Sequence, residues 1–193
     1  EKYLNLDKEE KDLLIRIGVA HYQFEAIHPF TDGNGRIGRL VIPLFLCQAS
    51  VLPTPVLYIS HYLEEHKKQY QFLLHKVDTD QDWVSWINFF LIAVKEQAEM
   101  TTALARKIQE LYDQHKREII PKIKSPRAIA LLDFIFRQQI VSAKSVNAAI
   151  QGGKNVPYTL IEKFVELGVL RPIGSSKRNR YYIFDSLFQL LNK

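Results

Sequence analysis

The sequence contains a single cysteine, Cys47, and this scarcity excludes two classes of protein. One cysteine cannot close an intramolecular disulfide, and no group of Cys and His residues has the spacing of a zinc site. A disulfide-stapled secreted scaffold and a zinc finger are therefore excluded. Long apolar runs are also missing, since none reaches the roughly 20 residues that a membrane-spanning helix needs. The opening residues, Glu1-Lys2-Tyr3, do not resemble a secretory signal, so we expect a soluble, cytoplasmic protein with no membrane partner.

The chain has enough apolar material for folded cores. It is 193 residues long and 47% hydrophobic, which suits one large domain or two small ones. Its net charge of +5 is unevenly distributed: residues 1–115 hold 12 basic and 16 acidic side chains, whereas residues 116–193 hold 14 basic and 5 acidic ones. We therefore expect the two parts of the chain to have different surfaces and different partners.

The first part of the chain has the pattern of an all-helical domain. Apolar residues recur at helical spacing in four segments, at about 7–27, 36–50, 60–76 and 82–118. Pro29 disfavours helical backbone at His28, so the first helix should end there. Pro43 should kink the second helix or displace its first turn.

The second part has a different pattern. Pro121 and Pro126 interrupt the helical period, so residues 121–126 are predicted to be a linker between domains at 1–120 and 127–193. Three helices are predicted at 127–137, 142–150 and 157–167, the second capped by Ser142 and the third ended by Gly168. Residues 169–173 and 180–184 then read as a β-hairpin. The predicted fold is mainly α: a helical bundle followed by a small domain of three helices and a hairpin.

One segment, residues 28–39, brings together groups suited to phosphate chemistry. Gly33 and Gly35 flank Asn34 directly before a helix, so consecutive backbone N–H groups can turn toward one anion whose charge the helix dipole favours. Arg36 and Arg39 lie at i and i+3 on one helical face, where two guanidinium groups can reach neighbouring phosphate oxygens. The segment therefore predicts a phosphate site.

Two further side chains of the same segment suit catalysis. Asp32 offers a hard oxygen ligand for a phosphate-bound Mg²⁺, and His28 could take a proton from an attacking hydroxyl group near neutral pH. The alternative for the tetrapeptide Asp-Gly-Asn-Gly alone is an ordinary turn. A two-residue hairpin does not fit, because both flanking patterns are helical.

The same segment matches the Fic motif, His-Pro-Phe-x-Asp/Glu-Gly-Asn-Gly-Arg-x-x-Arg, at every specified position. The resemblance extends from the preceding helix to about Ala93. It implies an all-helical Fic fold that transfers AMP from ATP, with Mg²⁺, to a Ser, Thr or Tyr hydroxyl group of a target protein or of the chain itself. Removal of AMP, or transfer from another nucleotide, would use the same residues.

The resemblance also implies a role for each motif residue. His28 would be the general base and Asp32 the Mg²⁺ ligand, and the two arginines would bind the terminal phosphates of ATP. The residues that would bind the nucleotide are Phe30, Gly33, Asn34, Gly35, Arg36 and Arg39. Tyr70 is predicted to stack on the adenine, with a half-buried core aromatic as the equal alternative.

Two family features are not found in the sequence. The flap that aligns a target chain should precede the first helix, where this chain has few residues. The inhibitory helix, Ser/Thr-x-x-x-Glu-Gly/Asn, has no match, because Glu65 follows Glu64 where Gly or Asn should stand. Since the chain begins at Glu1 rather than Met, we expect both features to lie upstream.

The C-terminal domain resembles a winged helix. If it binds DNA, the helix at 157–167 would enter the major groove, and Lys177, Arg178 and Arg180 on the wing would contact phosphates. Glu162 and Glu166 make that helix only weakly basic, so a protein contact, including a homodimer, is the equal alternative. A DNA-binding regulator, in which the Fic half senses a nucleotide or forms oligomers, is thus the second hypothesis for the chain.

Overall fold

A computed structural model of the chain describes residues 12–153, 155–174 and 180–192, and it has the mainly helical fold that the sequence predicts. The elements follow in the order α1 (Leu13–Ile27), α2 (Asn34–Gln48), α3 (Ser60–Glu65), α4 (Lys67–Asp80), α5 (Trp83–Glu118), α6 (Ala128–Arg137), β1 (Ile140–Ser142), α7 (Ala143–Ile150), α8 (Val156–Glu166), β2 (Arg171–Ile173), β3 (Tyr181–Ile183) and α9 (Asp185–Leu191). A short 3₁₀ helix spans Ile120–Lys122.

The chain divides into two compact units, Glu1–Thr102 and Ala103–Lys193, and the division falls within α5. The expected linker, residues 121–126, contains part of the 3₁₀ helix, and Ile123 is buried in the core of the second unit. The predicted domain bounds at 1–120 and 127–193 stay a prediction.

In the first unit, α1 packs against α2 and against the aromatic start of α5. The side chain of Asp12 caps α1 by accepting a hydrogen bond from the Leu14 N–H at 2.8 Å. Gly18 lets α1 approach α5 closely, because a Cβ there would lie 2.9 Å from a ring carbon of Phe90. Trp86, fully buried, donates its indole N–H to the Gly18 carbonyl at 3.1 Å.

The single helix expected at 60–76 is two helices, α3 and α4, which meet at His66. His66 has a non-helical backbone, with φ −102° and ψ 27°. Its backbone N–H donates to the Tyr62 carbonyl at 2.9 Å, Nδ1 lies 3.0 Å from the same oxygen, and its ring stacks on the Tyr62 ring. The backbone bond is an ordinary helical one, so the break lies in the backbone angles of His66, which the sequence pattern does not reveal.

The second unit has the three helices and the antiparallel hairpin of β2 and β3 that the sequence predicts, together with two elements that it does not. Strand β1 pairs with β3 to give a three-stranded sheet of order β1-β3-β2, and α9 follows the hairpin. The sequence does not predict β1 because three residues are too few to show an alternating pattern. In addition, β1 ends at Ser142, which also caps α7. The N-cap predicted at Ser142 is confirmed.

Candidate active site

The candidate site is built on the six-residue loop 28–33, between α1 and α2. His28 ends α1 in the left-handed region, with φ 49°, and its backbone N–H donates to the Phe24 carbonyl at 3.1 Å. Gln81 and Gln151, at the ends of α4 and α7, have the same left-handed conformation, so at His28 it marks the end of a helix. The turn leaves the His28 side chain exposed at the helix end.

A hydrogen bond to the backbone assigns the proton on the His28 ring. Nδ1 of His28 lies 3.3 Å from the carbonyl oxygen of Glu25. Because a carbonyl oxygen can only accept, Nδ1 must carry the hydrogen, and in the neutral ring Nε2 keeps a free lone pair. Nε2 is therefore the atom through which His28 can act as a base.

Asn34 fixes the loop from within. It is buried, with 2% of its surface exposed. Its Oδ1 accepts from the Phe30 N–H at 2.9 Å, and its Nδ2 donates to the Phe30 carbonyl at 2.6 Å. The Phe30 ring is 49% exposed. Since both ends of the Asn34 amide bond the loop backbone, its side chain holds the loop rather than facing solvent.

The N-terminus of α2 is open toward the loop. Gly33, the N-cap, has φ 85° and offers no side-chain hydrogen bond to the first turn. The first N–H groups of a helix have no partner within the helix, so those of Asn34, Gly35 and Arg36 can donate to an anion. These free donors are what an anion nest needs, and anion binding by them stays a prediction.

Asp32 and Arg36 face each other beside this nest. Arg36 Nη2 lies 3.3 Å from Asp32 Oδ2 in an exposed ion pair, and the Gly33 N–H donates to Asp32 Oδ1 at 2.7 Å. Among the described residues, no group of three or more His, Cys, Asp or Glu side chains could hold a metal alone. A single exposed carboxylate fits Mg²⁺, which keeps several waters and binds through one or two carboxylates together with substrate phosphates.

The side chains of Arg39 and Glu25 lie close to the glycines of α2. A Cβ on Gly35 would lie 3.2 Å from Arg39 Nη1 and 4.0 Å from Glu25 Oε2, and a Cβ on Gly38 only 2.2 Å from Glu25 Oε1. Glu25 precedes the motif and Gly38 is one of its unspecified positions. Their signal was a glycine inside a helical pattern, facing the preceding helix.

Tyr70 lies in the core of the first unit rather than at the loop. It is 8% exposed, and its hydroxyl oxygen lies 3.0 Å from Nε2 of His21, whose Nδ1 lies 3.1 Å from the Gly38 carbonyl. Burial lowers the pKa of His21 to about 4. His21 is thus neutral, donates through Nδ1 and accepts from the Tyr70 hydroxyl. Its ring is buried and packs against Trp86, as the core alternative expects, and the role in stacking on a base stays a prediction.

The residues predicted on the wing fall mostly outside the described part of the chain. Lys177 and Arg178 lie outside the described residues. Arg180 is described and exposed, directly before β3. It lines a cleft of about 780 Å³ together with Lys144, Asn155 and Tyr158.

Comparison with known proteins agrees with the motif. Residues 1–46 match the model of the Fic/DOC family. Protein adenylyltransferase fic-1 of Caenorhabditis elegans is 43% identical over 42 residues, which cover 22% of this chain and 8% of that protein. Protein adenylyltransferase Fic of Drosophila willistoni is 27% identical over 119 residues, 58% of this chain and 22% of that protein. Residues 1–46 of the chain are thus similar to the Fic/DOC family, as the motif predicts.

These matches have limited reach along the chain. The chain spans less than a quarter of the length of the curated relatives it matches. A crystal structure of a Fic family protein from Desulfovibrio desulfuricans G20 is similar over 94% of this chain and 52% of that one, with 21% identity and a TM-score of 0.49. No helix in the described part of the chain combines the length and apolarity needed to cross a membrane.

Proposed function

We propose that the chain transfers AMP from ATP to a hydroxyl side chain of a target protein or of itself. The observation that carries the proposal is the placement of His28: an exposed histidine with a free Nε2, at the far end of a six-residue loop from the uncapped start of α2. A base and a set of free backbone donors at opposite ends of one loop suit attack on a bound phosphate.

In this reaction the target hydroxyl oxygen attacks the α-phosphorus of ATP. Its proton passes to Nε2 of His28, a new bond forms between that oxygen and the α-phosphorus, and the bond from the α-phosphorus to the bridging oxygen breaks. Pyrophosphate leaves with the electron pair. The products are the AMP ester of the target and pyrophosphate.

The loop and α2 would bind the phosphates. The free N–H groups at the start of α2 donate to the α- and β-phosphates, and Arg36 and Arg39 bind the terminal phosphates. Asp32 would hold Mg²⁺, which when bound neutralises charge on the leaving pyrophosphate. Since Asp32 and Arg36 pair with each other in the structure, nucleotide binding should exchange this ion pair for contacts with metal and phosphate.

The experiment is incubation of the purified chain with Mg²⁺ and ATP labelled at the α-phosphate, followed by intact-protein mass spectrometry. We expect one added AMP on the wild type and none on His28→Asn, which tolerates left-handed backbone but lacks the base. ATP binding by His28→Asn should stay within about twofold of wild type, because the base acts on the hydroxyl group. Equal labelling of both proteins would contradict the role of His28.

Supplying a separate target protein distinguishes AMP transfer from AMP removal. If the chain releases labelled AMP from an AMP-modified protein and never adds it, the chain removes AMP instead. The same His28→Asn variant is the control, since both directions need the base.

A second candidate function, DNA binding by the second unit, is favoured by one observation. The cleft beside α8 is lined by Lys144 and Arg180 as well as Glu162, so its basic side chains outnumber its acidic one, and residues 116–193 carry an excess of basic side chains. Binding to random duplex DNA should weaken steeply as salt rises, and Lys144→Gln should reduce that slope by about one. No binding at low salt would contradict the candidate.

A further inference from the structure

Two tyrosine rings of the second unit are exposed in one cleft. Tyr158 of α8 and Tyr181 of β3 line the cleft of about 780 Å³, with 58% and 57% of their surfaces exposed. Within the described part of the chain, neither tyrosine packs on another ring or bonds through its hydroxyl group. Tyr112 of the same unit, by contrast, packs on Phe136 and donates its hydroxyl hydrogen to Asp133 at 2.7 Å. The described core of this unit therefore does not use the two exposed rings.

Basic side chains line the same cleft. Lys144, near the start of α7, and Arg180, directly before β3, are both exposed there. Glu162, one turn after Tyr158 on α8, is the one acidic residue among the lining residues that the structure describes. Because like charges repel, a bound phosphate should lie near α7 and β3 rather than near Glu162. The cleft thus combines exposed aromatic faces with a net positive charge.

Two exposed amide groups complete this lining. Asn147 of α7 and Asn155 both line the cleft. Asn155 occupies the N-cap position of α8, yet its side chain accepts no hydrogen bond from that helix. An amide group has two donor hydrogens and an acceptor oxygen, so it can bond to the edge of any nucleobase. These amides suit a base whose edge is unpaired.

We propose that this cleft binds an unpaired strand of nucleic acid, whose bases stack on Tyr158 and Tyr181 and whose phosphates contact Lys144 and Arg180. Exposed aromatic side chains combined with basic ones suit single strands, because every unpaired base has a face on which a ring can stack. A duplex keeps those faces inside its base stack and offers only phosphates and groove edges. The inference rests on the second candidate function, nucleic-acid binding by the second unit, and is independent of AMP transfer.

The first test compares a single strand with a duplex. A fluorescein-labelled oligothymidylate of about 12 nucleotides is added to the full chain, and binding is followed by fluorescence anisotropy. The duplex probe is the same labelled strand paired with its oligoadenylate complement. At equal low salt, the single strand should bind at least about fivefold more tightly, because only its bases can stack on the tyrosines. Equal or tighter binding of the duplex would overturn the proposal.

The second test removes the rings. Tyr158→Ala and Tyr181→Ala should each weaken binding of the single strand about tenfold, whereas Tyr158→Phe, which keeps the ring, should bind like wild type. The matched control is Tyr58→Ala, which removes a tyrosine that is 69% exposed in the first unit and should leave binding unchanged. Since both cleft tyrosines are exposed, circular dichroism should show that their variants remain folded. Unchanged binding in both cleft variants, or an equal loss in the control, would overturn the proposal.

Salt dependence separates stacking from charge. Lys144→Gln should reduce the salt slope of single-strand binding by about 0.7, because one phosphate contact is lost. Tyr181→Ala should weaken binding without changing this slope, since stacking releases no counterions. A slope that falls as much in Tyr181→Ala as in Lys144→Gln would contradict stacking on that ring.

Two further results separate the hypotheses. If AMP, supplied at the same concentration of nucleotides, displaces the strand, the cleft is a mononucleotide site and the proposal fails. If the chain binds the duplex and the single strand equally well, nucleic-acid binding stands and only the preference for unpaired strands fails. If it binds neither at low salt, both fail, while AMP transfer by the first unit is judged separately by its own experiment.

Discussion

The two compact units differ in what their cores contain. In the described part of the first unit three polar side chains are buried, His21, Asn34 and Gln97, whereas the buried side chains described in the second unit are all apolar. Buried polar groups cost free energy unless they are bonded, so a core retains them where they fix a geometry. His21 and Asn34 bond the backbone of Gly38 and Phe30, inside the motif. Polar groups of the first core thus fix the backbone around the loop 28–33. The described core of the second unit is stabilised by apolar packing.

The largest effect should come from Asn34→Asp, which keeps the shape of the side chain and removes one donor. A carboxylate oxygen would then face the Phe30 carbonyl at the position where Nδ2 now donates at 2.6 Å. We expect a loss of about 2–4 kcal/mol in the free energy of unfolding of the first unit, together with loss of AMP transfer.

Tryptophan fluorescence during denaturation measures this loss selectively, since both tryptophans, Trp83 and Trp86, lie in the first unit. Asn88→Asp, at an exposed position of α5, is the matched control and should change stability by less than about 0.5 kcal/mol. A similar loss in both variants would mean that the buried amide of Asn34 has no special role.

Acid should destabilise the first unit through His21. Burial lowers the pKa of His21 to about 4 in the folded chain, from an ordinary value of 6.5, so the unfolded chain binds more protons between these values. The stabilisation is complete above pH 6.5 and falls by roughly 3 kcal/mol as the pH drops to 4. Glu25 opposes part of the loss, because burial raises its pKa in the folded chain.

Unfolding followed by tryptophan fluorescence at pH 7.5, 6, 5 and 4 measures this dependence. His21→Gln, which keeps hydrogen-bonding capacity without a titratable ring, should flatten the profile while lowering stability at pH 7.5. A profile as steep in His21→Gln as in wild type would assign the acid sensitivity to other groups.

The sequence predicts the site better than it predicts the contacts that support the site. The motif identifies His28 and the nest, because local spacing and turn chemistry are written in consecutive residues. The surroundings of Tyr70 and Glu25 depend instead on which residues of other helices they meet, and helical period alone does not specify those partners. The same limit explains β1, since a three-residue strand has no period to detect.

Glycine-to-alanine substitutions should change the stability of the two units differently, by smaller amounts than the changes above. In Gly18→Ala the new Cβ would meet the Phe90 ring at 2.9 Å, and Phe90 is fully buried and cannot move aside. We expect a net loss of about 1–2 kcal/mol despite the better helix propensity of alanine. Gly153→Ala, in the second unit, meets nothing within 4 Å and should be neutral or slightly stabilising. Thermal unfolding by circular dichroism measures the stability of both variants. Equal effects would contradict the difference in packing around the two glycines.

The smallest effect should come from the cap of α7, where the second unit places its polar bonds at a helix end rather than in its core. Ser142 accepts from the Ser145 N–H at 3.2 Å, and the Ser142 N–H donates to the Ser145 hydroxyl oxygen at 2.9 Å. Ser142→Ala should cost about 1 kcal/mol in the unfolding free energy of the second unit, while Ser142→Thr keeps most of it. Circular dichroism should detect the loss while tryptophan fluorescence does not, because no tryptophan lies in that unit. A change in both signals would mean that the units unfold together, and the difference between their cores would then have to be measured on separated fragments.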